Sequence, residues 1–206
     1  MEMTKAMKQI KLSKSNLTTS HTSLEIIDDM ARVSKIEKYE EDDTNTYVTV
    51  NDIEFHNGII EVDVCGRLRH DAPPHARGFI GIVFRVNDHD NEFESFYIRP
   101  ANGRDCKDPI RQSHACQYFS YPGYTFSYFR EFQITDYECA LDTIALNEWS
   151  HIKAIVKDDN AKFYVNNQFA FEVNSLKHGD SKGRIGLYVD IGTDGLFKNL
   201  KILCED

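Results

Sequence analysis

The chain has 206 residues and carries 24 Lys+Arg against 33 Asp+Glu, a formal net charge of -9. A surface this acidic repels nucleic acid and anionic membranes, so neither is an expected partner, and no run approaches the ~20 apolar residues of a membrane span. A hydrophobic fraction of 41% supports a sizeable core, and the length suits one large β-sandwich spanning residues 1–206.

Residues 1–20 are polar with spaced lysines, which predicts a short edge strand or a frayed arm. This basic start lacks the apolar core of a signal peptide, so the expected location is the cytoplasm. Asn57-Gly58 is a strong hairpin-turn signal. Ile60, Val62 and Val64 then alternate with Glu61 and Asp63. In GFIGIVFRV, Ile80, Ile82, Phe84 and Val86 form an apolar face, with Arg85 opposite. In FESFYIR, Phe96 and Ile98 oppose Ser95, Tyr97 and Arg99. Such period-two runs are strands with one buried face.

Residues 124–147 form a long aromatic and acidic connection, expected to be a functional insertion or to hold a short helix. From Trp149 to Val173 three runs alternate, divided by Asp158-Asp159-Asn160 and Asn166-Asn167, which predicts a meander. The alternation of Ile185, Leu187 and Val189 follows. In GLFKNLKIL the phase slips between Phe197 and Leu200, and a bulge would reconcile it. Many short antiparallel strands without a long amphipathic helix give an all-β, two-sheet sandwich.

The densest polar and aromatic stretch is Phe93 to Tyr124. Its candidate ligand-binding residues are Tyr97, Arg99, Asn102, Arg111, Gln117, Tyr118 and Tyr124, with Arg85 placed by parity beside Arg99. Rings stack on sugars, and planar forks and amides bond hydroxyls or carboxylates. The structural alternative is internal pairing of the arginines with acids such as Glu94, Asp105 or Asp108. His114 is a candidate general acid or base, although a histidine held by hydrogen bonds is the commoner case. Spacing puts His114 and Tyr118 on one strand face and Gln117 on the other. Trp149 is expected to be structural.

The five cysteines, Cys65, Cys106, Cys116, Cys139 and Cys204, form no CxxC pair, so neither a zinc nor a thioredoxin-like site is expected. A cysteine in a strand is usually a small buried hydrophobe. No cofactor or metal is expected. Asp88-His89-Asp90-Asn91 and Asp190…Asp194 offer oxygen ligands for calcium, without the spacing of a defined loop.

Several phrases resemble the concanavalin A-like lectin/glucanase domains: FHNGIIEVDV, GFIGIVFRV, FESFYIRPANGR, DPIRQSHACQY, YPGYTF, and NEWSHIKAIVKDDNAKFYVNN followed by SKGRIGLYV and GLFKNLKI. The resemblance covers roughly residues 55–203 and implies a jelly roll with a concave, sugar-facing sheet. The IRPANGR…DPIRQSHACQY phrase is similar to a subfamily labelled as candidate glycoside hydrolases or related to 3-keto-disaccharide hydrolases. Laminarinase-like hydrolases of this fold carry Glu-x-Asp-x-(x)-Glu on one strand. Glu61 and Asp63 match the first two positions, while Cys65 and Gly66 stand where the second glutamate belongs.

Three readings follow. One is a carbohydrate-binding or carbohydrate-processing module holding a glycan, with acidic saccharides favoured by the arginines. The second is a glycoside hydrolase or lyase using a carboxylate such as Glu61, Asp63 or Glu94, with His114. The third is an interaction sandwich offering Phe126, Tyr128 and Phe129 to a protein.

Overall fold

The computed structural model describes residues 6–36 and 41–205. Among these described residues fifteen strands appear in chain order. The first five are β1 (Lys8–Gln9), β2 (Leu17–Ser20), β3 (Thr22–Ile27), β4 (Met30–Lys35) and β5 (Tyr47–Val50). The next five are β6 (Asn57–Leu68), β7 (Ile80–Val86), β8 (Phe93–Ile98), β9 (Cys116–Tyr121) and β10 (Glu138–Cys139). The last are β11 (Ser150–Lys157), β12 (Asn160–Val165), β13 (Gln168–Val173), β14 (Arg184–Val189) and β15 (Thr193–Glu205). Two short helices, α1 (Pro109–Gln112) and α2 (Phe126–Glu131), interrupt them.

The strands form two antiparallel sheets. One runs β13-β12-β11-β6-β15-β4-β3, with β1 paired to β15, and the other runs β10-β9-β8-β7-β14-β5-β2. Phe96 of the second sheet stacks on Phe163 of the first at 4.4 Å, and Tyr118 and Phe84 face the same ring. This aromatic layer fills the space between the sheets, each ring burying apolar area in its preferred offset or edge geometry. The expected meander is β11–β13. The expected bulge lies in β15, where pairing with β6 shifts between Lys198 and Lys201 and Asn199 takes φ 55°. Residues 17–20 form an edge strand, β2.

Two expectations fail for local reasons. Asn57-Gly58 makes no hairpin turn but opens β6. Gly58 is needed for close approach instead: a Cβ there would lie 1.8 Å from the Leu203 carbonyl oxygen. Arg85 does not share the Tyr97 face. It takes φ 55° where β7 and β14 lose register, so the alternation breaks at that residue. Its guanidinium is buried and donates to the carbonyls of His56, Gly179 and Asp158 and to Asn57 Oδ1. Arg85 therefore ties three loops together at one end of the sandwich, away from the Tyr97 face where its parity would place it. The 124–147 connection holds α2, and α1 lies within the earlier polar stretch. Among the described residues, no helix is long and apolar enough to cross a membrane.

Candidate functional site

Tyr97 sits one residue from Phe96 and therefore points away from the inter-sheet core, onto the outward face of the seven-stranded sheet. There it packs against Phe79, Phe119 and Tyr188. At the edge of this layer opens a cleft of about 260 Å³. Its floor is Tyr97 and Arg99, its rings are Phe79 and Phe126, and its walls carry Asn102, His114, Arg77, Arg111, Asp43 and Asp190. Typical small-ligand sites hold ~300–1,000 Å³, so a short polar ligand suits it.

Arg99 is the central group. It is buried, and its Nη2 donates to the Tyr97 hydroxyl at 2.7 Å and to Gln117 Oε1, while Nη1 donates to the His114 carbonyl at 3.0 Å. Its guanidinium lies 4.9 Å from the Tyr97 ring and 5.4 Å from the Phe126 ring. Aromatic faces and acceptors thus hold the charge in place, and no carboxylate forms an ion pair with it among the described residues. Asn102 donates to the same His114 carbonyl. Its Oδ1 is buried without a hydrogen-bond partner among the described residues.

The acidic side comes from loops. Asp43, at φ 51°, accepts the Phe126 amide at 2.5 Å and so anchors α2 over the cleft. Burial, then the neighbouring Asp190 charge, pushes its carboxyl up to about 7, against the pull of the Phe126 amide and Arg99. Asp190 accepts from Lys35 Nζ at 2.7 Å, from the Tyr188 hydroxyl and from two amides. That buried pair is fully committed to structure. Opposite, His114 Nδ1 lies 2.8 Å from Glu138 Oε2, and Arg130 donates to both oxygens of Glu138. Burial lowers the His114 pKa and Glu138 opposes it, while Arg130 and Arg99 add to the lowering.

Tyr97, Arg99, Asn102, Arg111 and His114 meet at this cleft, and Gln117 lies behind Arg99. His114 precedes β9, so strand parity does not govern it, and it shares the cleft side with Gln117. Tyr118 faces inward, donating to Glu94 Oε2 at 2.6 Å. Glu94 is fully buried and also accepts the His178 amide, so neither residue reaches the cleft. Tyr124 lies beyond the cleft, packed on Tyr128 and Lys177.

Glu61 and Asp63 stand on the solvent face of the other sheet. Asp63 takes His151 at 2.8 Å and Asn199 at 2.7 Å, and Glu61 takes Lys153 at 3.2 Å. Partial burial works against the Asp63 charge, but those contacts outweigh it and hold the carboxyl below its ordinary range. They form an ion-paired sheet face, separated from the cleft by the core. Trp149 is 39% exposed beneath Lys198, which lies 4.1 Å from its ring, so it is a surface residue rather than a core one. Phe129 is buried and Phe126 belongs to the cleft, so the flat exposed aromatic patch required by the interaction reading is not formed. Among the described residues, no three His, Cys, Asp or Glu side chains gather to hold a metal.

Nothing in the local sequence pattern points to Asp42, Asp43, His75, Arg77 or Phe79 as cleft residues; Phe126 stands out there only as a ring for a protein partner, and Asp190 only as a calcium ligand. No protein-family model matches the sequence, and neither does any curated protein. Solved structures do match. The carbohydrate binding module CBM66 from Bacillus subtilis aligns over 90% of this chain and 93% of its own, at TM-score 0.59 and 12% identity. The likeness is one of fold. A candidate glycosyl hydrolase from Parabacteroides distasonis aligns over 97% and 100%, at TM-score 0.58 and 13% identity. A Bacillus subtilis protein of unknown function with a galectin-like fold aligns over 92% and 91%, at TM-score 0.58 and 12% identity. These matches agree with the lectin/glucanase sandwich, while no family model supports the narrower 3-keto-disaccharide hydrolase subfamily.

Proposed function

We propose that this protein binds a carbohydrate in the cleft between Arg99, Asn102, Phe79 and Phe126, and that the sugar carries a carboxylate. The observation that carries this reading is Asn102 Oδ1, a buried acceptor with no partner among the described residues, beside an arginine with no carboxylate paired to it among them. An unsatisfied buried acceptor costs ~1–3 kcal/mol, which a ligand hydroxyl relieves. Arg99, Arg77 and Arg111 supply positive charge in a protein of net charge -9, and Phe79 and Phe126 supply stacking faces. Solved sandwiches of the same fold include a carbohydrate binding module, which supports the ligand class.

Calorimetry with matched glucose and glucuronate oligomers tests it. Glucuronate should bind more tightly, weaken with salt, and lose its preference in Arg99→Ala and in the more exposed Arg111→Ala. Equal affinity for the two sugars would remove the acidic-ligand assignment. A hydrolytic reading rests on Asp43 instead of Glu61 or Asp63, because a carboxyl titrating near neutrality at a cleft suits a general acid. Reducing-sugar release that disappears in Asp43→Asn would favour it.

A further inference from the structure

The strand β10 stands behind the cleft wall, touching it through His114. It has two residues and lies at the edge of its sheet. One of them, Glu138, holds Arg130 and lies against His114. The other, Cys139, is paired directly with Cys116 of β9. Paired residues on antiparallel strands have Cα atoms ~4.5–5.5 Å apart, inside the ~4.4–6.8 Å that a disulfide spans. The two sulfurs are already 3.2 Å apart, and both residues are thiols. We propose that Cys116 and Cys139 close reversibly into a disulfide that clamps the Glu138 strand onto the cleft wall; its consequence for ligand affinity rests on the carbohydrate reading above.

Access sets the order of events. Cys116 is fully buried, whereas Cys139 is half-buried. The Cys116 S–H lowers the Cys139 pKa, and burial raises that of Cys116. Cys139 thiolate therefore attacks a low-molecular-weight disulfide first, forming a mixed disulfide and expelling one thiolate. Cys116 then loses its proton and attacks the Cys139 sulfur, expelling the second. Two protein thiols are oxidised to one disulfide, and the small disulfide is reduced to two thiols. Because Gln117 and Glu138 follow and precede the bridged residues, the link fixes both the support of Arg99 and the partner of His114.

The test adds oxidised glutathione to the whole reduced chain and maps peptides without reduction. The expected result is one cross-link, Cys116 to Cys139, reversed by dithiothreitol. Cys116→Ser should stop at a glutathione adduct on Cys139, and amide exchange at residues 137–140 should slow several-fold in the bridged protein. Persistent alkylation of both thiols would overturn the proposal. So would a cross-link through Cys65, Cys106 or Cys204, or unchanged exchange at 137–140. The bridged form should also bind glucuronate more tightly than the reduced form, and equal binding overturns the link to the cleft. If neither form binds sugar, the carbohydrate reading fails, while the peptide map and exchange still decide the bridge.

Discussion

Replacing Asp43 by Asn should make stability less sensitive to pH, in a direction fixed by its environment. Burial raises this carboxyl from an ordinary 3.8 to about 7. The folded chain thus holds the proton more tightly than the unfolded chain. Between pH 4 and 7 the unfolded state releases it first, so stability falls as pH rises through that window. The gap is about three pKa units, and at ~1.36 kcal/mol per unit the full loss is roughly 4 kcal/mol. Asn keeps an oxygen for the Phe126 amide and cannot ionise. Asp43→Asn should therefore match the parent chain near pH 4 and exceed it by up to about 4 kcal/mol at pH 8. Urea unfolding of both chains across pH 4–8 measures this, and subtraction removes groups that titrate alike in both. A difference that stays constant with pH, or that shrinks as pH rises, would refute the assignment of a buried, charge-averse Asp43.

Arg85→Met should destabilise the fold by several kcal/mol, since each orphaned buried carbonyl costs ~1–3 kcal/mol, yet leave sugar affinity unchanged wherever the variant is folded. Parallel thermal unfolding and calorimetry separate the two effects. Gly58→Ala should abolish soluble expression or shift the unfolding midpoint sharply, because its Cβ would collide with the Leu203 carbonyl at 1.8 Å. Glu61→Gln with Asp63→Asn should leave ligand binding and any sugar release intact, as measured by titration and reducing-end assay. A loss of either would return the chemistry to the opposite sheet.

The parts legible from sequence are those where one residue's neighbours along the chain are also its neighbours in space. The β11–β13 meander and the β15 bulge follow from alternation and turn residues alone. Tyr97 and Arg99 share a side because both obey the parity set by Phe96. Arg85 obeys no parity, since a left-handed residue at the register shift turns it inward. His114 lies outside its strand. The cleft itself joins Asp43, Arg77, Phe126 and Asp190 from separate segments, and no local period signals such a meeting. The Asn-Gly pair misleads because the same lack of a side chain serves both a turn and a close backbone crossing.

The position of β15 bears on how the chain is made. It is the last strand in sequence but lies between β6 and β4 and also pairs with β1. Contacts of such long sequence separation slow folding. During synthesis β1, β4 and β6 must wait, each with an edge open, until β15 has left the ribosome. The other sheet, the β3–β4 pair and the β6-β11-β12-β13 run have their partners earlier. The nascent eight-stranded sheet is therefore the stage at which this protein is most exposed to edge-to-edge aggregation, and where a holding chaperone would act.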